Sequence, residues 1–285
     1  MPELPEVETV VRLIRPDLEG RRIEDARVGW ARTLGGVSRP AFERGVVGAR
    51  VARVWRRGKY IVLDLERGGG AAGCVVGHLR MTGRMHVEPR DSDPGAYVRV
   101  SLDLDDGRVF RFVDVRKFGR FVYAARPEDV FAELGPEPLG AEFTAGWLRA
   151  GLRRKRRMLK PLLLDQAFLA GLGNIYVDEA LHRARLHPLR LSNRVPGPAS
   201  DRLHAAIRST LAAAIEHEGS SFDAFYRTPE GQPGGYQDQF QVYGRDGRPC
   251  RTCGRTIRRI VVGQRGTHLC TRCQPAPRRS AGPAL

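Results

Sequence analysis

No apolar run in this 285-residue sequence approaches the ~20 residues needed to cross a bilayer, so a membrane-spanning chain is not expected. Its first residues are acidic and proline-rich, with neither a basic leader nor an apolar stretch behind it, and a secretory signal is not expected either. Cysteine is scarce: of five residues, four gather near the C-terminal end, which does not fit a secreted disulfide framework. Acid is in deficit as well. Lys and Arg total 48 against 32 Asp and Glu, and the resulting charge of +16 predicts a polyanionic partner, nucleic acid before an anionic membrane. A cytoplasmic or nucleoid-associated protein follows as the expectation. No internal repeat is visible.

What remains is enough for two domains and an appendage, with 41% hydrophobic residues to fill their cores. Val7, Val10, Val11 and Ile14 recur on one helical face, and the helix they predict begins at Pro5, carries Glu6 and Glu8 in its first turn and should stop before Pro16. Strand-like runs follow in "ARVARVWRR", "KYIVLDLERG", "GCVVGHLRM" and "YVRVSLDLDDGRVFRFVDV", the last with Asp106-Gly107 between two alternating segments, a hairpin signal. Residues 1–130 therefore read as one helix on an antiparallel β-sandwich, in an α+β chain.

The Gly/Pro stretch "ELGPEPLGAEF" marks a linker at 131–145. A helical domain over 146–235 follows, in which Leu203, Ile207, Leu211 and Ile215 repeat at four and Ser200 or Asp201 can cap. A Gly/Pro-rich loop over 218–241 is long enough to suggest function. The tail 275–285 has too few apolar residues to order itself.

Over 236–274, Cys250-x2-Cys253 and Cys270-x2-Cys273, sixteen residues apart, form two knuckles. Four thiolates make a closed tetrahedral Zn2+ site with no place for a catalytic water, so one structural zinc and no organic cofactor are expected. The basic strand-like insert between them, with Arg255, Arg258, Arg259 and Arg265, suits a phosphate backbone. Cys74, within an apolar run, reads as a small buried hydrophobe.

Eight separated motifs coincide in order: "PELPEVETV", "RRGKYIVLDL", "GHLRMTG", "DVRKFG", "LGPEPL", "LLLDQAFLAGLGNIYVDEAL", "QVYGR" and the finger ending "CTRCQ". Over nearly the whole chain this resembles the bacterial formamidopyrimidine-DNA glycosylases, bifunctional base-excision repair enzymes. The resemblance implies a β-sandwich, a helix-two-turn-helix domain and a zinc-binding β-hairpin around damaged double-stranded DNA, in a monomer, with no membrane partner.

It further implies that Met1 is removed and that Pro2, as an N-terminal secondary amine, attacks C1′ of the damaged nucleotide. An α-amine has a reference pKa near ~7.7–8.0, so it needs only modest help to be neutral at cellular pH, unlike a lysine near ~10.4. Glu3 matches the acid/base that opens the sugar ring, with Glu6 in support. Lys59 matches the lysine tied to β-elimination and Arg265 the finger arginine tied to the phosphate and δ-elimination. Met81, Arg116 and Phe118 match the trio that fills the void left by the flipped nucleotide. Lys155, Lys160, Asn174, His78 and Tyr243 fall on DNA-contacting positions, Asn174 at a helix start suited to a phosphate.

The sequence departs from the family where the damaged base is read: a usual Gly-Gly is Glu218-Gly219, and "PGGYQDQF" is one residue longer. The stretch "EPRDSDPGAYV" lacks a histidine found in some members. The sister endonuclease VIII type, acting on oxidised pyrimidines, is the nearest rival, and "PELPEVE" with the trio fits the purine type better. A non-catalytic zinc-finger DNA-binding protein would keep the charge and the finger but leaves Pro2, Glu3 and Lys59 without a reason.

Overall fold

The computed structural model describes residues 1–131, 133–221 and 226–277. By their contacts these fall into two compact units, Met1–Glu133 with Ala214–Gln237, and Leu134–Ala213 with Asp238–Leu285.

The first unit opens with α1 (Leu4–Leu18), capped by Glu3, whose N–H donates to the Glu6 carboxylate at 2.8 Å. Val7, Val10, Val11, Ile14 and Leu18 are all buried on its apolar face. Contrary to expectation the helix runs through Pro16. Arg12 and Pro16 are both exposed, so the Arg12 carbonyl that loses its N–H partner lies on the solvent side of the helix, while Leu18 is drawn into the core and keeps the last turn wound.

Two four-stranded antiparallel sheets follow. One has the order β1 (Ile23–Val28), β6 (Val98–Leu104), β7 (Arg108–Asp114), β5 (Gly83–Pro89), and the other β2 (Arg50–Arg57), β3 (Tyr60–Arg67), β4 (Gly70–His78), β8 (Arg120–Ala124). The predicted hairpin joins β6 to β7, with Gly107 at φ +81°, and pairs Leu102 with Phe110 and Val100 with Phe112. Phe110 and Phe112 of one sheet stack on Phe121 of the other at 5.5 and 5.8 Å, so the sandwich is closed by aromatic contact across its middle. A helix unforeseen in the sequence, α2 (Arg39–Val46), is capped by Ser38 and buries Phe42; a single turn, α3 (Glu128–Phe131), follows β8.

A backbone hydrogen bond and an ion pair tie α1 along β2. Val54 N–H donates to Glu19 at 2.7 Å and Arg56 Nε to Glu8 at 2.9 Å, which runs the helix N-terminus towards the Gly58–Lys59 turn. Burial would raise the Glu8 pKa, but Arg56 and Arg12 outweigh it and hold the carboxyl below its usual range.

The second unit contains α4 (Ala145–Arg154, capped by Thr144), α5 (Leu159–Leu164), α6 (Asn174–Arg183), most of α7 (Gly197–Glu216) and the hairpin of β9 (Arg258–Val262) and β10 (Arg265–Leu269). Leu203, Ile207, Leu211 and Ile215 are buried as their spacing predicts. The helix starts earlier than its sequence suggests, so Asp201 lies inside it and binds Arg149 at 2.6 Å instead of capping. The Gly/Pro stretch is pinned rather than loose: Gly135 N–H donates to Gln166 and Ala170 N–H to Pro136.

By contacts the described residues of 214–237 group with the first unit, although α7 runs into them without a break. Residues 222–225 of the long loop and 278–285 of the tail lie outside the described residues. Among the described residues no helix is long and apolar enough to cross a membrane.

Candidate active site and DNA-binding surface

In the first unit Pro2 is buried directly ahead of α1, and Met1 before it is 42% exposed. Glu3 and Glu6 are buried too. One Glu6 oxygen accepts from Glu3 N–H, and the other from Ser220 N–H at 2.8 Å and its hydroxyl at 3.4 Å. Gly219 is required here: its φ is +76°, and a Cβ would stand 2.7 Å from the Glu6 carboxylate. Glu218, the departure from the usual Gly-Gly, itself takes φ +58°, and its carbonyl accepts from the Tyr226 hydroxyl at 3.1 Å. Glu6 thus locks the residues that follow Pro2 to the 218–221 segment.

Lys59 lies in the β2–β3 turn after Gly58 and is 6% exposed. His78, at the end of β4, is also buried, and its pKa is pushed down to about 3 by burial, then by Arg80 and Lys59. It is therefore neutral. Its Nδ1 accepts from Arg80 N–H at 3.0 Å, which leaves the proton on Nε2, and its ring sits edge-on to Tyr60 at 4.8 Å. His78 thereby shapes the turn that carries Met81, which is closed further by Gly83 N–H donating to Leu79 at 2.9 Å.

Met81, Arg116 and Phe118 are brought together. Arg116 Nη1 lies 3.3 Å from Met81 Sδ, and its guanidinium carbon 4.8 Å over the Phe118 ring, which is 48% exposed. The fully buried Asp114 organises both loops: its carboxylate accepts from the Thr82 hydroxyl, from Arg116 N–H at 3.2 Å and from Gly119 N–H at 2.7 Å. Neither Asp114 nor Thr82 was singled out from the sequence, although both lie within the quoted motifs.

In the second unit Asn174 heads α6, behind Gly171 at φ +86°, and its Nδ2 donates to Gly266 O at 3.0 Å and to the Tyr243 hydroxyl at 3.4 Å. Arg265, next to Gly266, opens β10 and is exposed. Lys155 is exposed at the end of α4 and takes no part in this network.

Lys160 requires a correction. It was expected to contact DNA, yet its side chain has 0% exposure; Nζ binds Asp178 at 2.6 Å and Gly266 O at 3.0 Å. A phosphate cannot reach an ammonium already desolvated against a carboxylate, and the residue instead holds the finger loop to α6. Asp178 also accepts from His268 N–H at 2.8 Å. The adjacent Glu179 accepts from the N–H groups of Gln241, Val242 and Tyr243, each at 2.9 Å. Burial raises the Glu179 pKa, opposed by those three donors. This acidic pair was overlooked in the sequence; two adjacent acids inside an apolar helix of a basic chain were the available signal.

The sulfurs of Cys250, Cys253, Cys270 and Cys273 lie within 4.8 Å of one another, with Cys253–Cys270 at 3.4 Å and Cys250–Cys273 at 3.9 Å. Tetrahedral thiolates on zinc stand about 3.8 Å apart, given Zn–S of ~2.3 Å, so the four fit one structural Zn2+. Cys74 is separate and buried, and burial followed by Asp64 pushes its thiol up to about 12, which leaves it inert.

Comparison with known proteins completes the assignment. Three family descriptions match: the formamidopyrimidine-DNA glycosylase N-terminal domain at residues 1–121, its H2TH domain at 134–225, and the zinc finger found in FPG and IleRS at 247–276. The chain is 42% identical to the formamidopyrimidine-DNA glycosylase of Herpetosiphon aurantiacus, covering 96% of this chain and all of that one. To the Synechocystis protein of the same name it is 44% identical, over 96% and 99%. The crystal structure of MutM (Fpg) from Thermus thermophilus superposes with a TM-score of 0.85 at 41% identity, over 96% and 98% of the two chains. Lactococcus lactis Fpg in complex with DNA containing N7-benzyl-Fapy-dG gives 0.87 at 32% identity, over 96% and 100%. The chain belongs to the formamidopyrimidine-DNA glycosylase family.

Proposed function

We propose that the chain is a DNA glycosylase and abasic-site lyase of base-excision repair that removes oxidised purines, 8-oxoguanine and formamidopyrimidines, from duplex DNA. The observation that carries this reading is the setting of Pro2: it precedes the cap of α1 with no turn to make, and the residue after it is held through its N–H by Glu6. Loss of Met1 places a secondary amine there. Its lone pair forms a bond to C1′ as the base leaves with the electron pair of the bond that breaks; the ammonium so formed gives up its proton, which neutralises the departing base, and Glu3 supplies a proton to O4′ as the C1′–O4′ bond opens. The product is an iminium. It acidifies the C2′ proton, whose removal expels the 3′ phosphate in β-elimination; a second elimination at the 5′ side completes β,δ-cleavage. Lys59 serves the first elimination, and Arg265 holds the phosphate.

Met81, Arg116 and Phe118 occupy the space left by the extruded nucleotide, with the guanidinium fork offered to the orphaned partner base. Asn174, Tyr243, His78 and Lys155 bind the backbone. The enzyme works as a monomer in the bacterial cytoplasm.

Borohydride trapping on a duplex with 8-oxoguanine opposite cytosine tests the reading. A covalent adduct is expected, lost when Pro2 is replaced by glycine or Met1 is retained. No adduct with any oxidised base or abasic site would exclude the enzyme, and preference for thymine glycol would assign it to pyrimidines.

A further inference from the structure

Lys117, between Arg116 and Phe118, adopts φ +61°, a left-handed conformation disfavoured for any residue with a Cβ. The residues on either side of it nevertheless stack on each other, guanidinium over ring at 4.8 Å. That stacking needs the intervening side chain turned away, and something must hold it there. Asp114 binds the amides of Arg116 and Gly119 but not that of Lys117. The Lys117 ammonium instead lies 4.2 Å from the centroid of the Trp30 ring, and the guanidinium carbon of Arg32 lies 5.8 Å from the same ring.

Trp30 is itself well seated. Gly29 N–H donates to Arg99 O at 2.9 Å, and a Cβ on Gly29 would stand 2.7 Å from Val98 O, so the chain meets β6 just before the tryptophan. Thr33, fully buried, donates its N–H to Trp30 O at 3.0 Å. Arg99 in turn donates Nε to Asp114 O at 2.7 Å, which ties this stretch to the base of the Arg116–Phe118 loop. A half-buried indole on a fixed backbone, facing two cations, is a receptor for the lysine rather than a core residue.

We propose that Trp30 is a positioning residue for the loop that enters the DNA helix: by clamping the Lys117 ammonium it keeps Arg116 and Phe118 stacked and aimed together. The inference rests on the functional reading above only for its consequence in catalysis; the clamp itself is a property of the free protein. A cation–π contact at a partly exposed site shifts such an equilibrium about two- to fivefold.

The test has two arms. In the DNA-free protein, amide hydrogen exchange across 115–119 is expected to quicken by that factor in Trp30→Leu and Lys117→Met, and to stay at the wild-type rate in Lys117→Arg, with the melting temperature of each variant lowered by no more than a few degrees. Unchanged exchange in Trp30→Leu overturns the clamp. With 8-oxoguanine duplex, kcat/KM is expected to fall two- to fivefold in each single variant and no further in the double, because both remove one contact. Additive losses also overturn it. A wild-type protein with no glycosylase activity overturns the proposed function instead, and the exchange arm then decides the clamp alone.

Discussion

Replacing Lys160 by Met distinguishes a buried ion pair from a DNA contact. Lys160 and Asp178 each have 0% side-chain exposure and meet at 2.6 Å. Without the ammonium, Asp178 keeps among the described residues the His268 N–H and a marginal contact with the His268 ring at 3.5 Å, and a buried carboxylate is left undercompensated. Breaking a buried pair in this way costs about 3–5 kcal/mol, a large part of the ~5–15 kcal/mol that holds a typical domain folded. Urea unfolding with zinc present should show the loss. DNA binding followed by fluorescence anisotropy over a range of KCl supplies the contrast, since a phosphate-bound lysine contributes ~0.9 to the log–log salt slope and a buried one contributes nothing. Lys160→Met combined with Asp178→Leu should regain most of the stability, because an apolar pair removes both desolvated charges. A loss below ~1 kcal/mol accompanied by a slope reduced by about one would refute the reasoning.

Four further outcomes are expected. Asp114→Asn sets an amide NH2 against the N–H of Gly119 or Arg116, leaving a buried donor unmatched at about 1–3 kcal/mol; turnover of oxidised purine should fall with it, and unaltered kinetics would remove Asp114 from the loop's support. The folded pKa of His78, near 3, lies below the unfolded value of ~6.5, so its contribution is complete above pH 6.5 and declines by up to ~1.4 kcal/mol per pH unit as pH falls towards 3. His78→Asn should flatten that decline in urea titrations between pH 7 and 5; an unchanged slope contradicts the burial argument. Chelating zinc should weaken DNA binding and expose the finger to protease, and adding zinc back should reverse both. Arg265→Ala should lower the salt slope by about one, and an unaltered slope would take Arg265 off the phosphate.

Much of this architecture could be read beforehand where local chemistry dictates it. The zinc cysteines were legible because four thiolates on one ion demand knuckle spacing, and α1 because burial on one side enforces its period. Pro16 misled because the rule against proline counts the lost hydrogen bond but not whether the orphaned carbonyl faces water. Lys160 misled because a match in position says nothing of burial, and it follows Arg153, Arg154, Arg156 and Arg157, all four of which are exposed. The grouping of 214–237 with the first unit rests on contacts such as Glu6 to Ser220, and the Trp30–Lys117 pair likewise joins stretches far apart in the chain, though less far. No periodicity or spacing announces such partners.

The hold of Glu6 on Ser220 spans 214 residues, and that separation sets an order of events during synthesis. The first turn of α1 leaves the ribosome early, but the backbone that completes its support has not yet been made. At ~5–20 residues per second the delay is roughly 10–40 s. Throughout that interval the segment whose Ser220 binds Glu6 is missing, so the removal of Met1 proposed above can take place before the residues behind it are enclosed. Processing can therefore precede burial by the plain sequence of translation, without any need to unfold a finished molecule.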